Sequence, residues 1–161
     1  MEERLLEDLK SVLAEFGFRQ VEDFSAVCDA VMLLKRQTLN MNRAVVVVQA
    51  TEMPADFRSY LKRLRRLVAF KCGFFPFFWG IGIQVVVFAK GACESGIDPA
   101  AYVAKIDNQW SIVQSLFLVD TESESFSVGR SWGQTVSSGF QEEIFRTLAR
   151  NYNAVTASPQ G

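Results

Sequence analysis

Histidine is missing altogether from the 161 residues of this chain, and imidazole is the commonest general base and the commonest transition-metal ligand. Its absence excludes Ser-His-Asp and Cys-His catalysis and every His-ligated metal site. Cysteine is scarce. Cys28, Cys72 and Cys93 are odd in number, far apart and set among apolar neighbours, so neither a disulfide framework nor a CxxC zinc clip can be drawn from them. Buried thiols in a reducing cytoplasm are the expectation. An excess of either charge is lacking too, because 17 Lys and Arg stand against 18 Asp and Glu. The molecule as a whole therefore lacks the strong positive field of a dedicated nucleic-acid binder.

Motifs with a fixed chemistry are also absent. There is no GxxxxGK[ST] and no GxSxG, and Gly80-Ile81-Gly82 has neither the third glycine nor the following helix of a dinucleotide loop. No cofactor, no metal and no complete catalytic constellation is expected. The start, MEERLLEDLK, is acidic where a signal peptide would be basic, so no secretory processing is expected.

What is present is apolar and aromatic: 49% of the residues are hydrophobic and 14 are Phe. A chain of this size buries about two thirds of its unfolded surface, enough for one ordinary core. One globular domain over residues 1–152 is expected, with 153–161 as a flexible tail.

Leu5, Leu6, Leu9, Val12, Leu13 and Phe16 recur at helical spacing, and Gly17 is a natural stop. Phe18 to Val21 is short and β-prone; residues 28–36 and 43–50 form a predicted hairpin across QTLNMN. Four consecutive valines, Val45 to Val48, suit a strand covered on both faces. Pro54 opens a helix carrying Phe57, Tyr60, Leu61, Leu64, Leu67 and Val68. A strand over 85–89 and a short helix over 98–106 follow. A second hairpin pairs 111–120 with 125–129, and the capping-box spacing Ser138-x-x-Gln141 opens the last helix. The predicted fold is α/β or α+β, a single domain with a mixed central sheet of five or six strands flanked by helices in the order α-β-β-β-α-β-α-β-β-α.

The run from Cys72 to Ala89 carries no charge for 18 residues, the lower limit of a membrane-spanning helix. Pro76, the glycines at 73, 80 and 82, Gln84 and the β-branched end IQVVVF argue instead for a loop feeding a central strand. No transmembrane span is expected. Its aromatic half, Phe74, Phe75, Phe77, Phe78 and Trp79, is the best candidate for a partner contact, since exposed clusters of this kind mark interaction surfaces. A homo-oligomer or a protein partner would dock there.

The second candidate is basic. Arg58, Lys62, Arg63, Arg65 and Arg66 form one broad sector of the helix that follows Pro54, expected to lie opposite its apolar face. They could hold nucleic acid, an anionic lipid surface or an acidic protein. Neutralisation by the first helix or by the TESE turn, and the lack of interleaved aromatics for base stacking, weigh against that use. Asp120, Glu122 and Glu124 read as a solvated hairpin tip.

The order helix, short strand, hairpin, helix, strand resembles the core of the PD-(D/E)XK restriction-endonuclease-like superfamily. That resemblance implies a metal site with an Asp on the second strand and an acidic-x-Lys motif on the third. Asp29 takes the first position, but Gln49 stands in place of the second carboxylate and Thr51 in place of the Lys. A degenerate, nucleic-acid-binding domain is what the resemblance then implies. The order also resembles the small acidic chaperones of type III secretion, which are dimers without an active site. The helix at 98–106 departs from that scheme. Taken together, the residues favour a non-catalytic binding or assembly module, cytoplasmic and homodimeric, over a nuclease-like domain.

Overall fold

The computed structural model describes residues 2–24, 27, 29–38, 41–72, 80–104, 111–130 and 139–155. Its elements in chain order are α1 (Glu2–Glu15), β1 (Arg19–Gln20), β2 (Ala30–Gln37), β3 (Asn42–Glu52), α2 (Phe57–Lys71), β4 (Ile81–Lys90), α3 (Pro99–Ala104), β5 (Ser111–Asp120), β6 (Ser125–Arg130), α4 (Gly139–Ala149) and β7 (Asn153–Ala154). One seven-stranded sheet carries them all, and its spatial order is the chain order, β1 to β7.

β2 pairs antiparallel with β1 and β3, β3 runs parallel to β4 and β4 to β5, β6 turns back antiparallel to β5, and β7 lies parallel to β6. Handedness then places the helices. Parallel crossovers are right-handed, so α2, between β3 and β4, and α3, between β4 and β5, fall on the same face. Because β6 runs the other way, the same hand sends α4 to the opposite face, where α1 already lies.

Two core layers result. Leu61, Leu64, Val68 and Val103 cover Ala44, Val46, Val48, Val85 and Val87 on the α2 face. Leu5, Leu9, Leu13, Phe140, Ile144 and Leu148 cover Val45, Val47, Val86 and Phe117 on the α1 face. The four valines of β3 thus alternate between the two layers, each fully buried. Burying one such side chain stabilises by roughly 1.5–3 kcal/mol.

The uncharged run resolves in the same way over its second half. β4 is buried at nine of its ten positions, and no described helix is long and apolar enough to cross a membrane.

Several expectations need correction. Among the described residues the strands number seven, one more than the expected order, because two-residue β7 is added beside β6, while β1 falls inside the β-prone stretch at 18–21. β7 falls at 153–154, at the start of the segment expected to be a free tail: Asn153 N donates to Glu124 O and Val155 N to Phe126 O, which anchors the chain on β6. The α2 cap is Asp56 rather than the turn at Pro54, with Ser59 N donating to Asp56 Oδ1 at 3.0 Å. Gln141 does not turn back to cap α4; its amide points into the core. Asp29 lies just ahead of β2, not on it, in a left-handed turn with φ +50°.

Candidate functional site

α2 lies across its face of the sheet with Phe57, Leu61, Leu64, Val68 and Ala69 inward. Its N-terminus is held by Asp56, and its flank towards β2 is tied down by two polar contacts. Tyr60 Oη donates to Asp29 Oδ2 at 3.4 Å, and Lys71 Nζ pairs with Asp23 Oδ2 at 3.5 Å. The remaining arc faces solvent. Arg58, Lys62, Arg63 and Arg66 are exposed there, and none of them enters an ion pair among the described residues.

Neutralisation by the first helix, expected from sequence, does not occur because α1 covers the opposite face of the sheet. The TESE turn belongs to the β5–β6 hairpin, and Glu122 and Glu124 make no ion pair with α2.

Phe70 was not foreseen as part of this surface. It is 81% exposed, and at about 100° per residue it projects between Arg66 and Arg63. The expectation that no aromatic interleaves with the cations is thereby corrected. The signal was in the sequence, since Phe70 is four residues beyond Arg66 and off the apolar stripe.

Arg65 departs in the other direction. It is only 5% exposed, because it lies next to the apolar stripe rather than opposite it. Its Nε and Nη1 are buried without a hydrogen-bond partner among the described residues. Burial, and then the adjacent Arg66 charge, lower its pKa. Arg58 and Lys62 lie on the same side of the helix, all three within about 60° of arc.

The proposed partner contact at Phe74, Phe75, Phe77, Phe78 and Trp79 lies outside the described residues. Asp29, the weak catalytic candidate, spends its carboxylate on Tyr60 and its carbonyl on Gln49 N at 3.0 Å. Among the described residues no three His, Cys, Asp or Glu side chains converge as a metal would require.

Two further polar clusters have structural accounts. Asp120 is not a solvated tip; it is 1% exposed, and its carboxylate accepts backbone N–H from Gly91, Cys93, Glu122 and Ser123. Beside it a pocket of about 390 Å³ is lined by Gly91, Glu94, Glu122 and Ser123.

On the α4 face, Gln84 is fully buried. Its Oε1 accepts from Gln141 Nε2 at 2.9 Å and from Ser115 Oγ, and its Nε2 donates to Gln114 Oε1 at 2.8 Å. A bulge in β5 makes this possible: Ile83 pairs with Val113 but Gln84 with Ser115, so Gln114 and Ser115 both reach Gln84. Gln114 fills the space above Gly82, where a Cβ would lie 2.5 Å from its Oε1. A network satisfied in this way fixes the register of two strands and one helix. A lone Gln inside IGIQVVVFA was its only sequence signal.

Comparison with known proteins leaves the α2 face to be argued from its own geometry: no family model, curated protein or solved structure matches the chain.

Proposed function

We propose that this domain is a non-catalytic binding module that docks through the outer face of α2 on the phosphodiester backbone of a nucleic acid. One observation carries the reading: four exposed cations with no ion-pair partner among the described residues share one side of α2, and an 81% exposed Phe70 follows them at its C-terminal end. Cations at i, i+4 and i+8, here Arg58, Lys62 and Arg66, rise by about 6 Å per step and can follow a chain of phosphates. Phe70 offers a base a stacking surface worth about 1–3 kcal/mol. The near-zero net charge is no obstacle, because the acidic residues of α1 lie beyond the sheet and are screened over about 8–10 Å of salt solution. A cytoplasmic setting suits the two described cysteines, Cys72 and Cys93, which are free thiols.

Fluorescence anisotropy with labelled oligothymidylate, single-stranded and in duplex, tests this. Affinity should fall with salt, log K against log salt losing about 0.7 to 0.9 in slope for each phosphate contact removed. Arg66→Ala should lower the slope by about one contact, and the triple variant Arg58→Glu, Lys62→Glu, Arg66→Glu should abolish binding. Undiminished binding by the triple variant, or tighter binding to anionic vesicles than to the oligonucleotide, would refute it.

Phe70 also favours a second reading. An exposed phenyl only four residues before Phe74 would extend an apolar contact with a protein partner or a second copy of the chain. In that case Phe70→Ser, combined with Phe77→Ser and Trp79→Ser, turns a dimer into a monomer in light scattering while the charge reversals leave the mass unchanged.

A further inference from the structure

We propose that Arg65, with Arg58 and Lys62 on the same flank of α2, forms a half-buried anion site that receives one phosphate group. The proposal rests on the nucleic-acid reading for the source of that phosphate, but its geometry stands separately.

Nothing among the described residues accounts for a guanidinium at this place. Position 65 lies beside Leu61, Ala69 and Cys72 on the helix surface, all three buried, and an aliphatic side chain there would extend the apolar stripe. The chain instead buries a positive charge to 5% exposure and leaves its Nε and Nη1 without partners. Buried charges without partners are strongly unfavourable, and replacing them by apolar groups of similar volume is commonly neutral or stabilising. Arg66 adds like-charge repulsion. An anion beside the guanidinium would relieve both effects, offsetting the surrounding charge and supplying acceptors to the donors once the side chain turns to meet it.

Phosphate fits better than carboxylate. Lys62 and Arg58 precede Arg65 by about one and two turns on the same flank, and Arg66 adjoins it, so a group with several acceptor oxygens and up to two charges meets more than one cation there. Arginine suits such a desolvated position because its guanidinium stays charged and its planar fork matches a phosphate. Lys62 and Arg58, both exposed, would close over the group as point charges from the solvent side.

The test compares inorganic phosphate with chloride at equal ionic strength in thermal unfolding of the native chain, then of Arg65→Met, and adds oligothymidylate binding by Arg65→Lys and Arg66→Lys. Native protein should be stabilised saturably by phosphate. Arg65→Met should unfold at a higher temperature than native without phosphate and gain nothing from it. Arg65→Lys should weaken oligonucleotide binding on the order of tenfold, the loss of one charge-assisted hydrogen bond, whereas Arg66→Lys should leave it unchanged. Equal stabilisation by phosphate and chloride, or a full phosphate response in Arg65→Met, overturns the site. Should Arg65→Met fail to fold, unchanged affinity in Arg65→Lys overturns it. A phosphate response abolished by Arg65→Met, without any oligonucleotide binding, upholds the site and removes the nucleic-acid reading instead.

Discussion

Asp120 ends β5 with its carboxylate among four backbone N–H groups, from Gly91, Cys93, Glu122 and Ser123. Burial by itself raises the pKa of such a group, but the hydrogen bonds from Glu122, Ser123 and Cys93 favour the anion and together outweigh it, so the value is lowered. A carboxylate with a depressed native pKa stabilises the fold above its unfolded value, about 3.9, and that contribution fades as pH falls through the native value. Asp120→Asn should therefore destabilise the protein by about 2 kcal/mol near neutrality, with the gap to native narrowing below about pH 4. Urea midpoints on both sides of that pH would show it; a gap independent of pH would place the effect in shape rather than charge. The sequence showed an acidic hairpin tip but not that its first carboxylate is enclosed. Two of the four N–H donors, Glu122 and Ser123, follow Asp120 within three residues, and the other two, Gly91 and Cys93, lie just beyond β4 and reach it only because β4 and β5 end together, with Ala89 opposite Asp120.

At the scale of elements, α3 rests on β6 with no space between backbones. A Cβ at Gly129 would lie 2.2 Å from the Pro99 carbonyl carbon and from the Ala100 nitrogen. Backbone cannot swing aside as a side chain can, so Gly129→Ala should cost about 1–3 kcal/mol or more and displace α3. Denaturant unfolding, with amide exchange across 99–104, would report both losses; an unperturbed α3 would refute the contact. α2 shows how much of an element is legible beforehand. The apolar period over Phe57 to Val68 located its inner face, and the short helix expected over 98–106 begins where Asp98 accepts from Ala100 N at 3.0 Å. The border between the faces was not legible. Arg65 was placed among the exposed cations because composition suggests that an arginine faces water, yet its angular position lies beside the apolar stripe.

At the scale of the whole molecule, the described residues form one sheet between two core layers, and both layers are built on the same central strands. Leu9, under α1, and Leu64, under α2, are each at most 1% exposed and lie on opposite faces. Leu9→Ala and Leu64→Ala should each cost about 2–5 kcal/mol, and each should lower a single transition seen alike by circular dichroism and by amide exchange on both faces. Loss of one layer while the other stayed protected would contradict that cooperativity.

The sequence by itself determined the elements that local chemistry dictates. Period-3.6 leucines produced α1, consecutive valines marked a strand buried on both sides, and the β-branched end of the uncharged run ruled out a spanning helix, because backbone geometry and side-chain period act over neighbouring residues. Tertiary structure decided what depends on partners distant along the chain. The reversal at β6 sent α4 to the face of α1, and packing of α1 and α2 on opposite faces of the sheet separated the acidic residues of one from the cations of the other. The β5 bulge gathered Gln84, Ser115 and Gln141, and packing turned Phe70 out and Arg65 in. Burial is a property of the assembled layers, so the surface that could bind an anion became visible only once it was known which side of each helix the sheet had taken.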